Sequence, residues 1–288
     1  MPGSSSPILV IDSGLGGLTV VHCLRKTLPH ENLIYFGDTA RVPYGAKTTA
    51  TVTSFVRQII ACMRRYEPKH VVIACNTATA LALRPLRGEF PDLSLSGVIE
   101  PGAKAAAAAA GKKRFPIIAV IATEATIRSR VYEHAVARVR QHARLCCIPT
   151  PLLAPIVEEG RSDDDPLLKL ALEQYLTPLR KLAIDVLLLG CTHYPIIKRA
   201  IERVVGSSVK VIDSASYCAE DVERRLLAAG MLRGDSEDVG ALHCFVTDDS
   251  PRFATLASRF LGFNIPSPVW VPPEELYRSE QMETQLSA

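Results

Sequence analysis

The sequence has little net charge, no long apolar run and no paired metal-ligand motif. Among its 288 residues, 33 are Lys or Arg and 30 are Asp or Glu, which leaves a formal net charge of +3. The basic residues are scattered, so the chain lacks the charged footprint that nucleic acids or anionic membranes require. No stretch approaches the roughly 20 apolar residues that a membrane-spanning helix needs. These absences argue against a nucleic-acid-binding or membrane-embedded protein.

The N-terminal residues and the cysteines bear on the cellular compartment. Residues 1–6 lack the charged and then apolar pattern of a secretory signal. Most of the eight cysteines lie in or beside apolar segments, and their spacing shows no disulfide framework. Neither they nor the seven histidines form a pair of the Cys-x-x-Cys type that a zinc site would use. We therefore expect a cytoplasmic protein with reduced thiols and no metal site.

The chain alternates short apolar runs with longer amphipathic segments. The apolar runs cover residues 8–11, 33–36, 71–74, 117–121 and 186–189, and residues 209–212 begin a further unit. Turn residues and a helical pattern follow them, which is typical of parallel βαβ units. Because the runs are apolar throughout, they indicate strands of a sheet that is covered on both faces. With 48% hydrophobic residues, the chain can form one large domain or two smaller ones.

One strand-to-Cys-to-Thr pattern occurs twice, at residues 72–77 and 188–193. The repeat predicts an α/β protein of two similar doubly wound domains, with mainly parallel sheets that face each other across an active-site cleft. We expect residues 1–99 plus 212–270 in the first domain and residues 100–211 in the second. The alanine-rich run 103–110 predicts a helix that opens the second domain. We assign residues 271–288 to a C-terminal tail, of which residues 278–288 have little to bury and are expected to be mobile or lightly docked.

Three of the predicted strand ends carry concentrated polar groups, at residues 12–17, 75–77 and 191–195. Ligands bind at the carboxyl ends of strands in doubly wound sheets. The glycine-rich segment 12–17 departs from the dinucleotide fingerprint, and a simple tight turn explains it equally well. Hydroxyl or amide side chains follow both cysteines at an expected helix N-terminus, which favours anions, and Pro195 fits a first helical turn. An α-carboxylate bound at these ends would lie beside the sulfur atoms.

Cys75 and Cys191 occupy matching positions of the repeat. Either one alone could be an ordinary buried thiol. Together, on facing domains, they would bracket one site, where a thiolate removes a Cα proton and the opposite thiol returns one. A thiolate needs a lowered pKa, which a helix N-terminus or a protonated histidine provides. His193 and Asp12 are the candidates for this assistance, although His193 could simply start a helix and Asp12 could cap a turn.

The transition state of such a proton transfer resembles a carbanion and needs stabilisation. Desolvation and fixed dipoles around the substrate carboxylate would supply it. The candidate donors are Ser13, Asn76, Thr77 and Thr192.

Four ordered segments carry a family resemblance: residues 12–17, 43–45, 74–78 and 190–195. They resemble the signature segments of glutamate racemases, and the resemblance extends from Ile8 to about Pro266. It implies the two-domain α/β fold of the aspartate/glutamate racemase superfamily and a reaction without a cofactor. It also implies a homodimer that acts on glutamate and supplies D-glutamate for peptidoglycan.

The resemblance also assigns roles to single residues. Cys75 and Cys191 resemble the two proton donors and acceptors, and Asp12 and His193 resemble the groups that assist them. The implied substrate contacts are Asp12, Ser13, Tyr44, Gly45, Asn76, Thr77, Thr192 and His193. Glu158 resembles a further acidic residue of the site. Its neighbour Glu159 fits that role too, and a surface salt bridge would also explain an acidic residue there.

Two departures from the family pattern and three alternative functions remain open. Ala125 stands where the family often has Gly, and residues 129–132 read Ser-Arg-Val-Tyr instead of Ser-Gly-Ala-Tyr. An aspartate racemase would share the fold, but its usual residue at the position of His193 is acidic. A hydrolase or transferase with one nucleophilic Cys would leave the second Cys unexplained. An amino-acid-binding or gyrase-inhibiting protein without catalysis would need neither thiol.

Overall fold

The computed structural model describes residues 2–234, 238–248, 251–265 and 267–286. In chain order its strands are β1 (Ile8–Asp12), β2 (Leu33–Gly37), β3 (His70–Ile73), β4 (Leu95–Gly97), β5 (Ile117–Ala122), β6 (Arg144–Pro149), β7 (Val186–Gly190), β8 (Lys210–Asp213), β9 (Leu242–Val246) and β10 (Val269–Trp270). Its helices are α1 (Leu18–Thr27), α2 (Thr49–Met63), α3 (Asn76–Glu89), α4 (Ile99–Ala109), α5 (Glu124–Arg128), α6 (Val131–Val139), α7 (Leu153–Glu158), α8 (Pro166–Lys181), α9 (Lys198–Val205), α10 (Ser214–Ala228), α11 (Pro251–Leu261) and α12 (Pro273–Leu286).

The strands form two sheets. A six-stranded sheet has the order β10-β9-β2-β1-β3-β4, and a four-stranded sheet has the order β6-β5-β7-β8. Every pair of neighbouring strands is parallel. We call the parts of the chain around these sheets the first half and the second half. The predicted fold class, two α/β units with parallel sheets, is confirmed.

Burial explains why the central strands are apolar on both faces. All residues of β1, β2, β3 and β7 are buried, because helices cover both sides of each sheet. The edge strand β6 differs, since its residues are partly or fully exposed. Its mixed sequence therefore lacks the apolar signal that marks the central strands.

The chain passes between the halves twice. It leaves the six-stranded sheet after β4 and enters α4, whose alanines pack against α6 and α10. It returns after β8, which pairs with β7 and ends at Asp213. The Asp213 carboxylate accepts a hydrogen bond from the Ser216 N–H (3.1 Å) and so caps α10, which packs against both α1 and α4.

The C-terminal segment begins with a docked helix. Helix α12 packs along α2, and its Leu276 is fully buried. An ion pair between Arg65, in the turn after α2, and Glu275 of α12 (2.7 Å) adds to this contact. These docking contacts lie near the start of the helix, and residues 278–282 are half-buried or exposed, in keeping with the expectation that residues 278–288 have little to bury. Residues 287–288 and Pro266, where the resemblance ends, lie outside the described residues.

The carboxyl ends of both sheets meet at one place. Segments that follow β1, β2 and β3 approach segments that follow β5, β6 and β7 there, and they enclose a cavity. This is the position at which parallel sheets present functional residues. Among the helices of the described residues, none combines the length and the apolar character that crossing a membrane requires.

Candidate active site

The cavity between the two sheets has a volume of about 310 Å³. This volume lies at the lower end of the range for small-molecule sites. Of the residues predicted from the sequence, the first half contributes Ser13, Tyr44, Gly45, Cys75, Asn76 and Thr77 to its wall. The second half contributes Glu158, Cys191, Thr192 and His193. The structure therefore brings both cysteines of the repeat to one cavity, from opposite halves.

Cys75 lies at the N-terminus of α3, as the sequence predicts. It is the N-cap residue, and its sulfur accepts a hydrogen bond from the Ala78 N–H (3.5 Å). Burial and, to a smaller extent, the nearby Asp12 carboxylate raise the pKa of the Cys75 thiol to about 12. The Ala78 N–H and the Ser13 hydroxyl offset this only in part. Cys75 is therefore a protonated thiol in the unliganded site, which suits a proton donor.

Asp12 lies behind Cys75 and does not form part of the cavity wall. Its side chain is 1% exposed, and its Oδ2 accepts a hydrogen bond from the Gly14 N–H (3.0 Å). Its Oδ1 is buried and has no partner among the described residues. Burial raises the pKa of Asp12, while the charge of His193 lowers it. An unpaired carboxylate oxygen next to a thiol can accept the proton of that thiol.

The glycine-rich segment, residues 12–17, leaves space for the side chain of Asp12. A Cβ at Gly17 would lie 2.5 Å from the Cβ of Asp12, closer than real Cβ atoms approach. Only glycine allows the start of α1 to pack this closely on the end of β1. The segment therefore serves close packing around Asp12, which is more than the simple turn that its sequence also allows.

Cys191 faces a histidine and a glutamate. Its sulfur lies 3.7 Å from Nδ1 of His193, whose Nε2 lies 2.8 Å from Oε1 of Glu158. Burial by itself lowers the pKa of His193, but hydrogen bonds to Cys191 and Glu158 outweigh it and raise this pKa to about 10. Burial raises the pKa of Glu158, but the hydrogen bond to His193 and the charge of His193 together outweigh burial and leave this pKa below its usual value. A positively charged imidazole therefore lies beside the Cys191 sulfur at neutral pH.

The surroundings of Cys191 differ from the expected helix N-terminus. His193, not Cys191, caps a four-residue 3-10 helix at Tyr194–Ile197, in which Pro195 occupies the first turn. A helix this short has little dipole to offer an anion. The charged group next to Cys191 is therefore the His193–Glu158 pair, whereas the polar partner next to Cys75 is the N-terminus of α3.

The other predicted polar residues tie the two halves together. The Tyr132 hydroxyl donates to Oδ1 of Asn76 (2.6 Å). The hydroxyl of Thr77 lies 2.8 Å from that of Thr123 in the second half. Because these contacts fix Asn76 and Thr77 beside Cys75, their remaining hydrogen-bonding capacity is oriented before any ligand binds.

The structure distinguishes Glu158 from Glu159 and adds residues to the site. Glu158 lines the cavity and contacts His193, whereas Glu159 is exposed. The cavity residues that sequence reasoning missed are Val42, Pro43, Thr123, Ala154, Pro155 and Gly190. Thr123 directly follows β5, so its place at a strand end was the available signal. Ala154 and Pro155 carry no chemical group that a sequence could flag.

Comparison with known proteins agrees with this geometry. The sequence pattern of the Asp/Glu/Hydantoin racemase family matches residues 8–222. The glutamate racemase of Geobacter metallireducens is 43% identical over 253 residues, which cover 88% of this chain and 92% of that protein.

Solved structures show the same similarity. An isoform of glutamate racemase from Bacillus anthracis superposes with a TM-score of 0.86 at 36% identity, over 93% of this chain and 98% of the other. The glutamate racemase of Francisella tularensis, solved in complex with D-glutamate, gives a TM-score of 0.85 at 32% identity, with the same coverage of 93% and 98%. The family predicted from four short segments is thereby confirmed, and the chain belongs to the Asp/Glu/Hydantoin racemase family.

Proposed function

We propose that this protein is a glutamate racemase, which interconverts L- and D-glutamate by passing the Cα proton between two thiols. The observation that carries the proposal is that Cys75 and Cys191 line one cavity from opposite halves. Each thiol has its own titratable group, Asp12 behind Cys75 and the His193–Glu158 pair beside Cys191. The glutamate racemases among its relatives support glutamate as the substrate.

The surroundings of the two thiols suggest how one turnover proceeds. In the proposed scheme Cys191 acts as the base beside the positively charged His193, while Cys75 holds its proton. The Cys191 thiolate takes the Cα proton of one enantiomer, and the electron pair of the broken C–H bond remains on the substrate. Cys75 then donates its proton to the opposite face of the same carbon. The product is the other enantiomer, beside a Cys191 thiol and a Cys75 thiolate.

The reverse reaction starts from that second protonation state. The free enzyme returns to its first state when Cys191 loses a proton and Cys75 regains one. His193 lies beside Cys191 and Asp12 beside Cys75, so each can exchange a proton with its own thiol. The unpaired Oδ1 of Asp12 is the acceptor that such an exchange needs.

The polar wall of the cavity stabilises the intermediate charge. Ser13, Asn76, Thr77 and Thr192 place hydroxyl and amide groups beside the thiols. We infer that they bind the substrate carboxylates, so that negative charge developing at Cα meets fixed dipoles in a site with little water. No electron-sink cofactor takes part in this scheme.

Circular dichroism of the purified protein tests the proposal. Samples receive L-glutamate or L-aspartate without added cofactor, and the variants are Cys75→Ala, Cys191→Ala and, as a control, Cys62→Ala. Cys62 is buried on α2, away from the cavity, so its loss should leave the reaction intact.

We expect glutamate to lose ellipticity with the wild type and the control but with neither active-site variant. Decay with aspartate alone would instead assign an aspartate racemase. Flat traces for both substrates would favour an amino-acid-binding or gyrase-inhibiting protein without catalysis.

The cellular role follows from the reaction. We propose that the protein supplies D-glutamate for peptidoglycan, which growth of a D-glutamate auxotroph carrying this gene would test. All eight cysteines are free thiols, which fits a reducing cytoplasm. We also propose a homodimer, on the basis of the family resemblance, and light scattering in solution would measure its mass.

A further inference from the structure

Tyr44 is fixed to the cavity wall from behind. It lines the cavity, but its hydroxyl donates a hydrogen bond to the carboxylate of Asp38, which is fully buried. The Tyr44 ring also packs on Phe55 of α2, with ring centroids 5.7 Å apart. The Tyr44 hydroxyl therefore points into the protein interior and not into the cavity. We call residues 42–45, which line the cavity here, the wall segment.

Asp38 is the centre of a buried polar network. Arg41 Nε lies 2.8 Å from both carboxylate oxygens of Asp38, and the Thr247 hydroxyl donates to Oδ1 (3.0 Å). The Asp38 N–H donates to the carbonyl oxygen of Asp12 (3.0 Å). Asp38 thus connects the wall segment to the ends of both β1 and β9. A movement of the wall segment would therefore change the hydrogen bonds of Asp38.

The network continues to the C-terminal helix. Arg41 Nη1 donates to Oε1 of Gln58 on α2 (2.5 Å), and Gln58 Nε2 donates to Oε2 of Glu280 on α12 (2.8 Å). Arg41 Nη2 is buried and has no hydrogen-bond partner among the described residues. The position of this guanidinium therefore depends on Asp38 and Gln58, together with the ring of Phe55, 4.1 Å away.

The wall segment also touches the second half. A Cβ at Gly45 would lie 3.0 Å from the Cβ of Thr123, so the two residues are in close contact across the cavity. Thr123 in turn holds Thr77 through their hydroxyls. Because the wall is packed on both sides, a small displacement of residues 42–45 changes the space that a substrate has.

We propose that Asp38 and Glu280 are positioning residues, through which helix α12 sets the shape of the substrate cavity. The path runs from Glu280 through Gln58 and Arg41 to Asp38 and then to Tyr44. This inference rests on the proposed function, since it assigns to a distant helix a part in binding the substrate of that reaction.

The experiment compares Glu280→Ala with Glu275→Ala. Both residues lie on α12, and each forms an ion pair with an arginine. Glu280 pairs with Arg57 of α2, and Glu275 pairs with Arg65 just after α2. Only Glu280 belongs to the path to Tyr44. We expect Glu280→Ala to raise KM for glutamate about three- to tenfold with kcat nearly unchanged, as the loss of one hydrogen bond that affects binding would do. Glu280→Gln should restore KM, because its amide oxygen still accepts from Gln58. Asp38→Asn should raise KM further.

A second measurement does not depend on catalysis. Alkylation of Cys75 and Cys191 by iodoacetamide, followed by peptide mass spectrometry, reports access to the cavity. We expect faster alkylation in Glu280→Ala than in Glu275→Ala.

Equal KM values and equal alkylation rates in the two variants would overturn the proposal, even if Asp38→Asn fails to fold. A wild type that does not racemise glutamate would overturn the proposed function instead, and the alkylation rates would still decide whether α12 shapes the cavity.

Discussion

Cys75 and Cys191 occupy matching places in the two halves but have different electrostatic surroundings. Cys75 has a helix N-terminus and the carboxylate of Asp12, and its pKa is raised to about 12. Cys191 has the His193–Glu158 pair. In the proposed mechanism the two thiols therefore have different partners for proton exchange. A symmetric reaction, in which either enantiomer can enter, thus takes place in an asymmetric site.

Glu158 should set the alkaline limit of activity through His193. Its carboxylate helps to raise the pKa of His193 to about 10. In Glu158→Gln this support is lost, so His193 loses its proton at lower pH and kcat/KM declines earlier on the alkaline side. The profile should be measured from about pH 7 to about pH 10, where the native histidine stays charged. Glu159→Gln is the matched control, and an equal shift in both variants would contradict this role.

The same pair should make stability depend on pH. The folded pKa of His193 lies above the model-compound value of 6.5. Its contribution to the free energy of unfolding is therefore fully present below pH 6.5 and is lost as the pH rises through about 10. Urea unfolding of the wild type and of Glu158→Gln at neutral and alkaline pH measures this difference.

Asp12 should be required for proton exchange at Cys75. Asp12→Asn keeps the shape of the side chain, and its amide oxygen can still accept from the Gly14 N–H. We expect kcat/KM to fall about a hundredfold, the lower range for loss of a general acid or base. Because two enantiomers have equal free energy, the fall must be the same in both directions.

Initial rates from L- and from D-glutamate check this prediction. Asp213→Asn, which changes the cap of α10 and the ion pair with Lys198 but not the cavity wall, is the control. A variant whose KM alone changes would show that Asp12 binds the substrate and takes no part in proton transfer.

The sequence predicts which residues line the site, but not which way a side chain faces or how its pKa is shifted. The repeat drew attention to Cys75 and Cys191 because thiols at two strand ends are chemically conspicuous. Whether Glu158 or Glu159 faces the site depends on the turn of α7, which neighbouring residues in a sequence cannot reveal. The raised pKa of Cys75 arises from burial, a property of the folded chain that no local pattern contains.

Among the elements, most of the predicted strands have buried, apolar sequences on both faces, and β8, with its exposed Lys210, is an exception. β4 has three residues, and β6 begins with an exposed arginine, so neither shows a strong strand pattern. Helix α12 was missed for a related reason. Its sequence is mostly polar, and it is held by ion pairs to Arg57 of α2 and to Arg65 just after α2, which lie more than 200 residues away along the chain. Such pairing depends on tertiary structure.

The glycine-rich segment between β1 and α1 can be tested by a substitution at Gly16. A Cβ at Gly16 would lie 2.6 Å from Nδ1 of His193 and would also clash with the Thr192 hydroxyl. Gly16→Ala should therefore displace His193, cost about 1–3 kcal/mol of stability through overpacking and abolish most activity.

Gly88→Ala is the opposite case. Nothing lies within 4 Å of the Cβ position at Gly88 on α3, so the alanine should stabilise the protein by up to about 1 kcal/mol and leave activity unchanged. Urea unfolding and initial rates of both variants provide the comparison. Full activity in Gly16→Ala would show that the segment can move without disturbing His193.

In the whole molecule, the halves meet along α10, which packs on α1 and α4, and also at the cavity, where the contacts between them are polar. Asn76 contacts Tyr132 and Thr77 contacts Thr123, while the chain itself crosses between the halves before α4 and after β8. A ligand in the cavity touches both sheets' strand ends, so its binding energy adds to the cohesion of both halves. Binding and global stability are therefore coupled in this fold.

This coupling predicts the effect of substrate on unfolding. D-Glutamate at about 100 times its dissociation constant should raise the free energy of unfolding by about 2.7 kcal/mol. Because the cavity is built from both halves, the whole transition should move to higher urea together, whether followed by tyrosine fluorescence or by far-ultraviolet circular dichroism. D-Aspartate at equal concentration is the control. If only part of the transition moved, one half would bind glutamate alone, and the site between the sheets would be the wrong assignment.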